Sequence, residues 1–316
     1  MKQMMKHYYP AYYDRFRCIA ADCPDSCCRG WDVVIDSETE AFYQSLDGAF
    51  GKRIRDSIYT DADGDRVFSL KEGKRCPFWG DDKLCEIFKT VGEEHLCKTC
   101  AQFPRLSMEF FDFCEHSLAL SCPEAARLIL STDDAYAGFT QTDAVGCEDY
   151  SADVMNLLLD SRKKCAQLLF SQNPLQTCLN DCLSFAQNVQ SKLRQKSTEP
   201  LWMEEGALYR LFSSLEYIDD DDRKKLLLAC HPADFSGQEK ELVRLSLYYL
   251  YRYYLGAVDS LDVITPIKIM ILSLTMISNF SQDHRITLTE AAQIYSKEIE
   301  QSYENMEQIA AFLKKK

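Results

Sequence analysis

Ten cysteines fall within the first 122 of 316 residues: Cys18, Cys23, Cys27, Cys28, Cys76, Cys85, Cys97, Cys100, Cys114 and Cys122. A stretch this rich in thiols either cross-links them or gives them a metal, and in a reducing compartment the metal comes first. The spacing runs C-x4-C-x3-C-C, then C-x8-C, C-x11-C and C-x2-C, with Cys122 beyond. Structural zinc usually takes two compact pairs of ligands, and Cys97-Lys-Thr-Cys100 alone has that form. Neighbouring side chains of extended backbone point apart, so Cys27 and Cys28 are not expected to face the same ion. An iron–sulfur cluster tolerates uneven spacing because its thiolates bind different irons. Cys114 follows the aromatic stretch Phe110-Phe-Asp-Phe113 and reads as packing. Nine cysteines remain, enough for one 4Fe-4S cluster with spares or for two. An iron–sulfur centre therefore heads the alternatives, before zinc and before redox-active or disulfide-bonded thiols.

Several familiar chemistries are excluded. A radical S-adenosylmethionine C-x3-C-x2-C motif starting at Cys23 and Cys27 would need a cysteine where Gly30 stands. A thioredoxin-like C-x-x-C needs a βαβ setting that Cys97 and Cys100 lack. The histidines His7, His95, His116, His231 and His284 are isolated in sequence, and no H-E-x-x-H, G-x-S-x-G or phosphate-loop motif occurs. Asp61-Ala-Asp-Gly-Asp65 opens like a calcium loop, but Arg66 stands where that loop needs glycine.

The net charge of −13 is unevenly shared. Residues 1–150 hold 17 Lys/Arg against 27 Asp/Glu, and residues 151–316 hold 19 against 22. Such a field repels phosphate backbones, so nucleic acid is not an expected partner. Residues 1–13 show no apolar signal-peptide core. The apolar run 263–280 is interrupted by Pro266, Lys268, Ser273 and Asn279, which reads as a buried helix and not a membrane insertion. A cytoplasmic location is the expectation.

The pattern predicts a mainly α protein in two parts. Residues 1–135 form a cysteine-rich metal-binding module with short strands, and residues 150–316 form an α-helical domain. Trp31–Ile35 and Val67–Leu70 are expected as short strands, with a turn at 61–65. Ser37 and Glu40 are expected as a capping box for a helix through about residue 46. Cys122-Pro-Glu reads as a helix start with the thiol at the N-cap, where the helix dipole favours a thiolate. Cys165, Cys178 and Cys182 fall on the apolar faces of two helices and read as small core residues. Leu247–Leu255 carries five tyrosines and reads as helix packing with hydroxyls reaching water. Thr287 and Glu290 open a last helix running towards Phe312.

Four segments carry a family resemblance. They are Cys18-Ile-Ala-Ala-Asp-Cys-Pro-Asp-Ser-Cys-Cys-Arg-Gly-Trp31 with Asp36; Cys76-Pro-Phe with Leu84-Cys-Glu-Ile87; Gly92-Glu-Glu-His-Leu-Cys-Lys-Thr-Cys100 with Pro104-Arg105; and Glu115-His-Ser-Leu-Ala-Leu-Ser-Cys-Pro-Glu-Ala-Ala-Arg-Leu128. Together they resemble the flagellin lysine N-methylase family over about residues 8–130, with a weaker echo at Tyr295-Ser-Lys-Glu-Ile-Glu300. The resemblance implies methyl transfer from S-adenosylmethionine to flagellin lysines by a protein carrying an iron–sulfur cluster. Its motif cysteines map onto Cys18, Cys23, Cys27, Cys28, Cys76, Cys85, Cys97, Cys100 and Cys122. With only twelve glycines and no glycine-rich loop after a strand, an ordinary Rossmann methyltransferase site is not expected. No catalytic base can be named. Arg105 is a candidate either for pairing with a cofactor carboxylate or for neutralising the cluster. Glu115 is a candidate for contact with a substrate ammonium, against the alternative of a solvated or capping carboxylate.

Overall fold

The computed structural model describes residues 4–110, 112–133, 136, 140–145, 150–193 and 206–314. Among these, six strands occur: β1 Met4–Tyr9, β2 Ile58–Thr60, β3 Arg66–Phe68, β4 Arg105–Glu109, β5 Phe113–Leu118 and β6 Thr140–Val145. Helices dominate the rest, so the protein is mainly α with short strands in its cysteine-rich half. The chain divides into two compact units. The smaller comprises Arg17–Leu106 with Cys122–Glu124, and the larger comprises Met1–Phe16, Ser107–Ser121 and Ala125–Lys316. This division is not the linear one expected at residue 135, because β1 and β5 pair with each other across more than a hundred residues and belong with the helices.

In the smaller unit the elements are short. Asp36 caps the Ser37–Ser45 helix by accepting from the Thr39 N–H, one residue earlier than the expected cap at Ser37. Glu40, freed from the capping box, pairs with Arg66 at 2.8 Å. The expected strand at Trp31–Ile35 is reduced to a single bridge, Val34 to Val67. Its alternation is real, since Val33 and Ile35 are buried, but the helix cap at Asp36 ends the extended backbone before a ladder can grow. The 61–65 turn forms as expected, with the Asp61 carboxylate accepting from the Asp63 and Asp65 N–H groups. It joins β2 to β3 as an antiparallel pair. A small apolar core gathers Val33, Ile35, Tyr43, Ile54, Phe68, Phe78 and Ile87 together with Cys76 and Cys97.

The larger unit is built around the Ile264–His284 helix, which is buried on nearly every side. It packs against the helices Leu175–Lys192, Asp220–Leu228, Glu239–Tyr253, Leu288–Tyr295 and Tyr303–Lys314. Each fully buried Leu, Ile, Met or Phe there contributes roughly 1.5–3 kcal/mol. The helix is long and apolar enough to cross a membrane, yet 89% of its most apolar stretch is buried inside the protein. Cys165, Cys178 and Cys182 are buried core residues. Tyr248, Tyr249 and Tyr254 are buried as well. Their hydroxyls do not reach water as expected: Tyr254, for example, shares a hydrogen bond with Ser161 at 2.9 Å. Thr287 caps the next helix through the Glu290 N–H, but that helix does not run on to Phe312. It widens into a π segment at Ser296–Glu300 and restarts at Tyr303. The buried Glu298 carboxylate in this segment accepts from the Ile218 and Asp219 N–H groups.

The sheet runs β4-β5-β1-β6, with β1 parallel to β5 and antiparallel to β6.

Candidate metal centre

All nine motif cysteines lie in the smaller unit. The chain brings them together by short backbone links. Cys76 N–H donates to the Cys28 carbonyl at 2.8 Å, and Gly30 N–H donates to the Lys74 carbonyl at 3.0 Å. Gly30 holds φ at +110°, a conformation that side chains strongly disfavour and glycine tolerates. Asp36 then fixes the far side. Its carboxylate accepts from Thr39 and also from the Lys98 N–H at 2.9 Å, clamping the turn that carries Cys97 and Cys100. Burial acts against ionisation of this carboxyl, but the Lys98 and Thr39 donors hold it below its usual value.

The sulfurs make two sets of contacts, Cys27–Cys28–Cys76 and Cys97–Cys100. Cys28 accepts from both Cys27 and Cys76, which drives its thiol down. Donation to Cys28, together with burial, pushes Cys27 and Cys76 up. Cys27 is also within electrostatic reach of Cys18 and Cys122. Cys85 is within electrostatic reach of Cys28 and Cys97, and Cys100 bonds to Cys97. The expectation that Cys27 and Cys28 point apart fails because they sit in a turn and not in extended backbone. Cys85 and Cys97 are N-cap residues of the short helices Glu86–Val91 and Lys98–Gln102. Cys122 immediately precedes the Pro123–Ser131 helix, as expected. Backbone N–H groups accordingly point at sulfur: Phe78 at Cys76, Ile87 and Phe88 at Cys85, and Cys100 at Cys97. The shell is graded, with Cys76 and Cys97 buried and Cys18, Cys27 and Cys100 exposed.

The two predicted cofactor residues belong to different units. Arg105 is exposed at the first position of β4, in the same unit as the cysteines. Glu115 belongs to the larger unit, and its carboxylate already has a cation. Both oxygens receive the Arg162 guanidinium at 2.6 Å, with the two side chains 10% and 6% exposed. It is neither a free acceptor for an ammonium nor a solvated or capping carboxylate.

Cys114 is buried as expected, but its neighbours are not only aromatic. His7, Cys114 and His116 bring their ligand atoms within 4.8 Å of one another. Among the described residues this group of three mixes imidazole and thiol ligands in one place. Burial first, and then the neighbouring His7, lower the His116 pKa to about 4. Sequence reading missed this trio because His7 lies more than a hundred residues from the others. The available signal was the Cys114-Glu-His116 spacing, which places two ligand types on one face of a strand.

Comparison with known proteins places the chain. Over 141 residues, 40% of its length, it is 30% identical to the lysine-N-methylases of Salmonella typhimurium and Salmonella choleraesuis, with 33% of each covered. It is 32% identical to the flagellar biosynthetic protein FliU of Salmonella muenchen, and there the match covers 79% of the relative. The chain belongs to the flagellin lysine N-methylase family. As a member of that family it spans about a third of the length of the lysine-N-methylases it matches. No family profile and no solved structure matches it.

Proposed function

We propose that the chain is an S-adenosylmethionine-dependent protein-lysine N-methyltransferase that acts on flagellin in the cytoplasm and carries an iron–sulfur cluster on its cysteine unit. The observation that carries the reaction is its kinship with proteins named lysine-N-methylase; the flagellar name of FliU supports the substrate.

The donor set supports the cluster. A cluster binds its thiolates on different irons and so accepts the uneven spacing that runs from Cys18 to Cys122. Backbone N–H groups aimed at Cys76, Cys85 and Cys97 would stabilise ligated thiolates and tune the potential of a cluster held there. Cys18, Cys23, Cys27, Cys28, Cys76, Cys85, Cys97, Cys100 and Cys122 are the ligand candidates.

S-adenosylmethionine supplies an electrophilic methyl on a sulfonium. A lysine amine takes that methyl only after losing its proton, which a desolvated or acidic setting favours. The acidic balance of residues 1–150 draws a lysine-bearing substrate towards the chain. Arg105 is the candidate partner for the cofactor's carboxylate; Glu115 does not meet a substrate ammonium, because Arg162 occupies it.

The test is incubation of the anaerobically reconstituted chain with flagellin and methyl-labelled S-adenosylmethionine. Label on flagellin lysines is expected. A fully metal-loaded protein that neither binds S-adenosylmethionine nor transfers label overturns the reading. That result would favour the second one, a non-enzymatic iron–sulfur or zinc module, which the one-third coverage of the lysine-N-methylases also admits.

A further inference from the structure

We propose that His7, Cys114 and His116 form a mononuclear zinc site in the larger unit, separate from the nine cysteines, with one coordination position open to water or an incoming donor.

Strand pairing creates the site. The parallel register of β1 and β5 sets His7 beside Cys114, so both side chains rise from the same face of the sheet. Two residues further along each strand, Tyr9 and His116 rise on that face as well. Glu115 falls on the opposite face, consistent with its pairing to Arg162. The three ligand atoms lie within 4.8 Å of one another. His7 Nδ1 and His116 Nε2 are 2.7 Å apart.

The surroundings match those of metal-binding histidines. Such a histidine normally bonds its second ring nitrogen to a polar group that fixes tautomer and orientation. His116 does this through Nδ1, 3.0 Å from the Ser107 hydroxyl. Tyr9 stacks on the His116 ring at 4.3 Å and 5°, which holds the plane of the imidazole. Cys114 is buried at 1% exposure, whereas both histidines are only half-buried. The sulfur therefore forms the floor, and the outer side stays reachable.

The donors choose the ion. Two imidazoles and a thiolate with no carboxylate suit zinc and not calcium or magnesium, which take oxygen ligands. Three protein ligands with a fourth position free is the pattern of zinc sites that bind or activate a small molecule. Zn–N lengths of about 2.0–2.1 Å at tetrahedral angles put two ligating nitrogens about 3.3 Å apart. Opening the 2.7 Å contact to that separation takes a shift of about half an ångström. The proton now shared between the rings moves to the remote nitrogen of His7, and the Cys114 proton is released as zinc binds.

The experiment uses the full chain with its iron–sulfur centre loaded anaerobically, so that the smaller unit's cysteines are occupied, followed by zinc and removal of excess. One zinc per chain beyond the iron is expected, and its X-ray absorption should show one sulfur and two nitrogens from the protein. His116→Gln and Cys114→Ser should each weaken zinc binding by about a hundredfold or more, and Ser107→Ala by about tenfold, with iron content unchanged. No retained zinc in the folded wild-type protein, a sulfur-only shell, or His116→Gln holding zinc as tightly as wild type would overturn the proposal. If the smaller unit takes zinc itself, the difference between wild type and His116→Gln isolates the same shell. Should a variant not fold, the wild-type absorption decides alone.

Discussion

The two units of this chain hold themselves together by different means. The larger is organised around a helix of 21 residues with helices of 15 and 18 residues packed on it, and its order comes from apolar burial. The smaller has helices of five to nine residues, a three-residue hairpin and a core that includes two of its own candidate ligands, Cys76 and Cys97. Small units with thin cores need a staple, and a metal is the common one. In the larger unit burial comes first and polar groups are fitted into it; in the smaller, the proposed ligation would make metal binding and folding one event.

Metal removal should separate the units most sharply. Stripping the protein anaerobically with a chelator should abolish hydrogen-exchange protection across Arg17–Leu106 while the Ile264–His284 helix keeps its slow amides. Equal protection in loaded and stripped protein would mean that the apolar core around Phe78 suffices and the contrast is wrong. Glu115→Ala should do the reverse. It strands Arg162, which is 6% exposed and otherwise lies 4.2 Å over the Tyr251 ring, and should cost about 3–5 kcal/mol in denaturant unfolding without changing iron content.

What the sequence revealed follows the same division. Helical periodicity made the long helices and the buried cysteines Cys165, Cys178 and Cys182 legible, because burial writes itself every three or four residues. Cysteine spacing marked out the smaller unit without any secondary structure, since all nine motif cysteines lie in it. Long-range pairing was not legible. β1, Met4-Met-Lys-His-Tyr-Tyr9, is too short and too polar to announce itself, and its partner β5 starts at residue 113. With that pairing hidden, His7 and His116 read as isolated and Cys114 as packing. Glu115 was misplaced for a related reason, since nothing local says that Arg162 will reach it. Nor did the sequence show that the Glu298 carboxylate of the π segment would accept from the distant Ile218 and Asp219 N–H groups.

Two helix caps refine the contrast at smaller scale. Asp36→Ala should cost about 2 kcal/mol, the upper range for a cap, because the same carboxylate also holds the Lys98 N–H; metal retention should fall with it. Thr287→Ala in the larger unit removes a simple cap and should cost about 1 kcal/mol, with metal content untouched. Equal losses and equal metal content in the two variants would remove the claim that Asp36 couples folding to ligation.

The smallest effect concerns Glu298, which tests whether polar groups in the larger unit are tolerated by a core that burial already defines. Burial raises its carboxyl above the usual value, and the Asp219 and Ile218 N–H donors only partly oppose this. A carboxyl with a raised folded pKa contributes stability below its unfolded pKa and loses it as pH rises through the folded one. Both N–H groups bond to the same oxygen, Oε2, at 2.7 and 3.1 Å, so glutamine can keep both bonds without titrating. Glu298→Gln should therefore match wild type in acid and become relatively more stable as pH rises past the carboxyl's folded pKa, seen as diverging melting temperatures. Parallel melting curves across that range would show that the two donors cancel the burial cost, and that this carboxylate is as much a part of the larger unit's design as its apolar core.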